Sequence, residues 1–252
     1  MTIDLNCDMG EGYGTYTIGN DEAIMPFISS ANIACGFHAG DPSVIMHTIR
    51  LAKKHHVAIG AHPGYPDLAG FGRRTMHMSP DELYASMLYQ VGALKSMAEA
   101  LGTTLHHVKP HGALYNDAAK NEDIASAMIN AVKDIDNSLL FVGLAQSVML
   151  HAAEKAGLRT LHEFFADRSY NDDGSLVSRQ LPGAVIHDTE TVLHRVIGMI
   201  RTNTVQTMSG KTIPITAHTI CIHGDNPHAP EFARMLHERL TAENIRIHAP
   251  ER

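Results

Sequence analysis

The sequence predicts a closed α/β barrel that takes up residues 1–252 as one domain. Three observations carry this. Short apolar runs and helix-period patterns alternate seven or eight times, which implies a parallel sheet whose crossovers are helices. No linker interrupts that rhythm, and 252 residues suit a single barrel. Each burst of His, Asp, Lys, Arg and Gly follows an apolar run and precedes a helical pattern. In a barrel those bursts gather at the C-terminal ends of the strands, whereas an open doubly wound sheet would scatter them along two crevices.

Ile3 and Leu5 alternate with polar neighbours as in a strand, and the run stops in the Gly-rich bend Gly10, Gly12, Gly14, so Asp8 is delivered into open space. Residues 21–28 suit a short helix and Ser30 to Ala34 a second strand. Asp41 at the N-cap and Pro42 at the first helical position open a helix that reaches His56. Val57 to Ala61 reads as a buried third strand, followed by a connection through Arg74 that is long enough to suggest function. Ser79-Pro80-Asp81-Glu82 starts a helix running to Leu101 and stopped by Gly102. Leu105 to Lys109 is strand four, and Asn116 or Asp117 is expected to cap a helix to about Lys133. Leu139 to Val142 is strand five, with a helix from Gln146 to Ala156 closed by Gly157. Thr160 to Phe165 is strand six, leading into a polar loop over 167–179. A helix over 188–201, a strand over 216–222, a helix from Asn226-Pro227 to about Glu243 and a short strand over 245–247 complete the chain.

Composition narrows the function. A formal net charge of -7 with no basic stripe argues against a nucleic-acid backbone as partner. Cys7, Cys35 and Cys221 are too few and too scattered for a disulfide framework or a zinc knuckle, and read as small buried thiols. The first residues lack a cationic, apolar leader and no run approaches the roughly 18 apolar residues of a membrane span, so a soluble, cytoplasmic protein is expected. Histidine is abundant, 18 in all. Several fall in helical patterns and His106 and His107 begin a strand, whereas His38, His62, His111 and His223 sit in the Gly-rich bursts.

If the barrel closes, Asp8, His38, His62, Lys109, His111, His223 and Asp225 converge. Two chemistries compete. One is a divalent-metal hydrolase with Asp8, His38 and His62 as ligands and water in the open position. The other is metal-free acid–base catalysis, with Asp8 taking a proton from water and Lys109 or His111 stabilising or protonating the atom that gains charge. For any one rim histidine, a plain hydrogen bond to a nearby carboxylate is an equally good explanation. Ser209-Gly210-Lys211-Thr212 is a turn rather than a phosphate loop, since the first glycine of that motif would fall at Val205. Arg73, Arg74, Arg168 and Arg179 are candidate forks for a carboxylate or phosphate.

The blocks Asn6-Cys7-Asp8-Met9-Gly10-Glu11, Asn32 to Asp41, Gly60 to Asp67, Phe71-Gly72-Arg73-Arg74, Lys109 to Tyr115 and His223-Gly224-Asp225 occur in this order over nearly the whole chain. In them the sequence resembles the LamB/YcsF family. The resemblance implies a distorted seven-stranded (β/α)7 TIM-like barrel of the glycoside hydrolase/deacetylase type. It also implies one component of a bacterial ATP-dependent 5-oxoprolinase, which works with PxpB and PxpC to open 5-oxoproline to L-glutamate. ATP would then be a cofactor of the complex, bound by the partner subunits. On that basis Asp8, Lys109 and His111 are expected to be catalytic, and His38, His62, Arg73, Arg74 and Asp225 to bind substrate. Asp8, His38 and His62 are the positions that correspond to the metal ligands of such barrels. The alternatives are a metal-dependent deacetylase acting on an N-acetylated sugar and a non-catalytic subunit that only holds small lactams.

Overall fold

The computed structural model describes residues 1–222, 224 and 228–252. In chain order the elements are β1 (Thr2–Met9), α1 (Asp21–Ile24) with a 3-10 turn (Met25–Phe27), β2 (Ser30–Ala34), α2 (Pro42–Lys54), β3 (Ala58–His62), α3 (Pro80–Ala100), β4 (Leu105–Val108), α4 (Gly112–Ala118), α5 (Glu122–Asp136), β5 (Leu140–Leu144), α6 (Val148–Lys155), β6 (Thr160–Phe165), α7 (Thr189–Thr202), β7 (Thr204–Gln206), β8 (Thr212–Pro214), β9 (Thr219–Ile222), α8 (Ala229–Ala242) and β10 (Arg246–Ile247).

Strands β1 to β6 pair in sequence order, β6 pairs with β9, and β9 returns to β1, all parallel. The expected seven-stranded barrel is therefore closed. The closing strand expected over 245–247 is instead an appendage outside the ring, where Arg246 and Ile247 pair with the first residues of β1.

Local chemistry explains the helix limits. The Asp41 side chain accepts from the Ser43 and Val44 amides with Pro42 in the first turn, and Ser79 and Glu82 form a reciprocal capping box. One helix boundary differs from expectation. The helix expected from Asn116 or Asp117 to Lys133 is two, α4 directly after His111 and α5 from Glu122. The Asn121 side chain accepts from the Asp123 and Ile124 amides and so caps a fresh start. A second difference is the β7–β8 hairpin, which lies between α7 and the strand expected over 216–222 and carries the Ser209–Lys211 turn at its tip; that strand itself starts only at Thr219.

Alternation along β1 sends Ile3, Leu5, Cys7 and Met9 outward into the apolar layer beneath the helices, the same buried cluster that holds Ile49, Met87 and Leu236. Asp4, Asn6 and Asp8 point the other way, into the barrel. The lumen is accordingly a hydrogen-bonded polar network, with Leu140, Val142 and Leu161 forming a small apolar cluster of their own. At its base Asp4 accepts from Ser29, Ser30 and Thr219 at 2.5–2.8 Å. Burial raises the Asp4 carboxyl above its ordinary pKa, and the three hydroxyls oppose that rise. No described helix is long and apolar enough to cross a membrane.

Candidate active site

Strand β1 ends by placing Asp8 at the floor of a cavity of about 650 Å³ at the C-terminal mouth of the barrel. Its two carboxylate oxygens have different surroundings. Oδ1 accepts from Lys109 Nζ at 2.9 Å and from Asn32 Nδ2 at 2.9 Å, and Oδ2 lies 3.3 Å from His62 Nε2. Lys109 leaves the end of β4 and is buried between two carboxylates, with Nζ also 2.8 Å from Glu163 Oε1 and 3.1 Å from Asn6 Oδ1. Burial opposes the lysine charge, but Asp8 and Glu163 outweigh it, and its pKa stands well above the ordinary value. Glu163 is in turn fixed by Asn6 Nδ2 at 3.0 Å and by the Tyr115 hydroxyl at 2.7 Å.

Beside this pair is a histidine cluster. His38 comes from the loop after β2, His62 from the last position of β3, and His111 from the N-cap of α4. The glycines make room for them. A Cβ at Gly64 would stand 2.7 Å from His38 Nδ1, and one at Gly72, already at φ +62°, would stand 2.8 Å from both His111 and His38. His38 and His111 stack at 3.8 Å between ring centroids, and the His62 ring meets His111 edge-on at 4.9 Å.

The ring protons can be counted. His62 Nδ1 faces the Lys109 carbonyl at 2.7 Å and must donate to it; His111 Nε2 likewise donates to the Phe71 carbonyl at 2.8 Å. In the neutral rings this leaves His62 Nε2 and His111 Nδ1, 3.0 Å apart, as two lone pairs facing one another. Only a proton or another cation between them resolves that contact. Burial, then His62, drives the His111 pKa down to about 3, and burial, then His111 and His62, drives that of His38 well below its ordinary value. Both ring nitrogens of His38 are buried with no hydrogen-bond partner among the described residues. Glu11 closes the group, its Oε1 3.9 Å from His38 Nε2 and 3.8 Å from His111 Nδ1.

Of the residues singled out from sequence, Asp8, His38, His62, Lys109 and His111 come together here, and Arg73 lines the cavity above them. Arg74 does not line it; its guanidinium is paired with Asp67. Asp225 and His223 lie outside the described residues. Arg168 and Arg179 line the outer wall, and burial and the nearby Arg179 bring the Arg168 pKa to about 10. Sequence reading missed Glu11, Asn6, Asn32, Tyr115 and Glu163. Glu11, Asn6 and Asn32 stand inside blocks already singled out, and the alternation of β1 marks Asn6 as facing the same way as Asp8. Glu163 gave no signal beyond being the one acid in its strand.

The chain is similar to known proteins along nearly its whole length. The family model for the LamB/YcsF family matches residues 3–252. The A subunit of 5-oxoprolinase from Shouchella clausii is 54% identical over 247 residues, covering 98% of each chain. That of Thermococcus sibiricus is 51% identical over 247 residues, covering 98% of this chain and 97% of the relative. Among solved structures, the lactam utilization protein of Thermus thermophilus superposes with a TM-score of 0.95 at 47% identity, over 99% of this chain and 100% of that one. A putative cellobiose-phosphate cleavage protein of Enterococcus faecalis shares the fold alone, with a TM-score of 0.57 at 14% identity over 98% and 96% of the two chains. Matched across its whole barrel, the chain belongs to the LamB/YcsF family.

Proposed function

We propose that this chain is the ring-opening subunit of a cytoplasmic, ATP-dependent 5-oxoprolinase, acting with PxpB and PxpC to convert 5-oxoproline to L-glutamate while ATP becomes ADP and phosphate. The observation that carries the reading is the buried Asp8–Lys109–Glu163 array opening into a cavity with room for far more than a five-membered lactam. The relatives named as the A subunit of 5-oxoprolinase support it.

A lactam carbonyl resists water, and the sequence carries no nucleotide-binding fingerprint. We assign ATP to the partners, which hand over an activated, O-phosphorylated lactam. Asp8, with Oδ1 engaged by Lys109 and Asn32, turns Oδ2 and its partner His62 toward the cavity and takes a proton from the attacking water. The new C–O bond forms at the ring carbon, the ring C–N bond breaks, and the nitrogen leaves as an amine with both protons of that water, the first returned by Asp8, so that the base is regenerated and an acyl phosphate remains. A second water releases phosphate. Lys109 stays charged throughout and stabilises negative charge beside Asp8. His111 has spent its N–H on the Phe71 carbonyl, so it works through its contact with His62 rather than as an independent acid. Arg73, with Arg168 and Arg179 farther out, faces the substrate's carboxylate or phosphate.

The residues also fit a divalent cation, with a ligand set that differs from Asp8, His38 and His62. Glu11, His38, His62 and His111 each offer one atom, all within 4.8 Å of one another. Zinc ligands at about 2.0–2.1 Å on a tetrahedron stand roughly 3.3 Å apart, and the contacts of 3.0, 3.8 and 3.9 Å bracket that spacing. The unpartnered nitrogens of His38 and the facing lone pairs of His62 and His111 are what a cation would satisfy. When bound it would supply Lewis acidity and acidify water. Zinc titration by calorimetry, with His38→Ala as control, reads this without activity: one equivalent bound and lost in the variant supports the site, no binding removes it.

The functional test is reconstitution. Glutamate should form from 5-oxoproline and ATP only when this chain is mixed with both partners. Full-rate turnover by the purified chain alone would refute the division of labour.

A further inference from the structure

One row of residues crosses the barrel wall in register: Asp8 on β1, Asn32 on β2, Gly60 on β3 and His107 on β4. A register shift opposite Ile59 and Gly60 leaves His106 as an extra residue on β4, a bulge of the kind that re-aims its neighbours. Gly60 offers no side chain, and a Cβ there would stand 2.0 Å from His107 Nε2. The His107 imidazole therefore lies over β3 and reaches Asn32 Oδ1 at 2.8 Å. It is 1% exposed. Burying a polar ring in a barrel wall costs free energy that an aliphatic side chain would avoid, so its hydrogen bonds are its reason for being there.

Those bonds lead to Asp8. The amide of Asn32 spends its two hydrogens on Asn6 Oδ1 at 2.7 Å and Asp8 Oδ1 at 2.9 Å. That orientation holds only while a donor faces its oxygen, and His107 Nε2–H is that donor. Turned over, Asn32 would set its oxygen against the Asp8 carboxylate. On its far side His107 Nδ1 lies 3.0 Å from His106 Nδ1, and because His106 donates its Nε2–H to the Pro250 carbonyl at 2.8 Å, that contact becomes a hydrogen bond only when one of the two rings is protonated. We propose that His107 is a positioning residue for the ring-opening step: through Asn32 it fixes which oxygen of Asp8 meets Lys109 and which faces the cavity. This rests on Asp8 being the base. His107 does not line the active-site cavity, so its effect falls on turnover and not on substrate capture.

The test uses the chain reconstituted with its partners, measuring kcat and KM for 5-oxoproline. His107→Leu should lower kcat by about 10- to 100-fold, the scale on which small misplacements act, with KM within about twofold of wild type. His107→Gln retains an N–H able to meet Asn32 and should restore most of kcat; a merely space-filling role would make Leu at least as good as Gln. Asn32→Ala should match His107→Leu in kcat, and the double variant should be no worse than Asn32→Ala alone, because both act on one path. If His107→Leu does not fold, the Gln and Asn32→Ala variants decide. Wild-type kcat in His107→Leu, multiplicative losses in the double variant, or equal losses in Leu and Gln overturn the proposal. Asp8→Asn separates the levels: if it is dead while His107→Leu is fully active, only the positioning role falls, and if Asp8→Asn turns over normally, both fall.

Discussion

Gly60→Ala adds one methyl group at the most crowded point of the lumen row. The Gly60 backbone lies outside the left-handed region, so alanine meets no torsional penalty and the effect is steric. Its Cβ would stand 2.0, 2.3 and 2.5 Å from His107 Nε2, Cδ2 and Cε1. Ordinary contacts are about 3.5–4.0 Å, so the ring must retreat by more than about 1 Å and cannot keep its 2.8 Å bond to Asn32. Overpacking of this kind costs about 1–3 kcal/mol, and an orphaned buried oxygen on Asn32 about 1–3 kcal/mol more. The sum, roughly 2–6 kcal/mol, is a large part of the roughly 5–15 kcal/mol that holds a domain folded. Urea unfolding measures it as a fall in midpoint at constant slope. The decisive step is the cycle with His107→Ala, which removes the ring that the methyl group strikes. The double variant should then be more stable than the sum of the singles by about 1 kcal/mol or more. Additivity to within about 0.5 kcal/mol would mean that the two residues do not meet as described.

Two further outcomes follow from the buried charges. Lys109→Met strands the Asp8 and Glu163 carboxylates in the lumen and should cost about 3–5 kcal/mol at neutral pH. Protonation relieves a carboxylate left buried without its cation, so the variant should regain stability relative to wild type as pH falls toward the carboxylate range; thermal melts at pH 5 and 7 that match wild type would contradict this. His107 gives the opposite slope. Burial, with help from His106 and Lys109, depresses its pKa well below 6.5, so the stability it contributes is complete above 6.5 and is lost as pH falls, because the unfolded chain takes up a proton that the folded one refuses. Down to pH 5 that loss is at most about 2 kcal/mol, and His107→Gln should flatten the wild-type curve by that amount. Parallel curves for the two proteins would refute it.

Much of this was legible in the sequence because barrel geometry is repetitive. Strands announce themselves as apolar runs, Pro42 and Pro80 mark helix starts by their missing N–H, and the bursts that end strands must meet at one mouth. Asp8, His62, Lys109 and His111 were found in this way. Two kinds of information were not. The first is the identity of partners across the lumen. Nothing near Glu163 in the chain says that a lysine 54 positions earlier will lie against it, since that contact depends on strand tilt and register. The second is local competition between caps: Asn116, Asp117 and Asn121 are equally good capping residues by type, and only the packing of α4 after His111 decides that Asn121 starts α5. Arg74 illustrates the converse. Its block suggested a substrate fork, but Asp67, seven residues earlier in the same loop, engages it.

If Asp8 is the base proposed above, the ring cannot open at its normal rate without it. The most direct measurement is glutamate formation from 5-oxoproline by the reconstituted assembly carrying Asp8→Asn, with ADP release followed in the same tube. Removing the base should slow glutamate formation by about 10²-fold or more at unchanged KM, while the partners still consume ATP. Glutamate appearing at the wild-type rate would contradict the account.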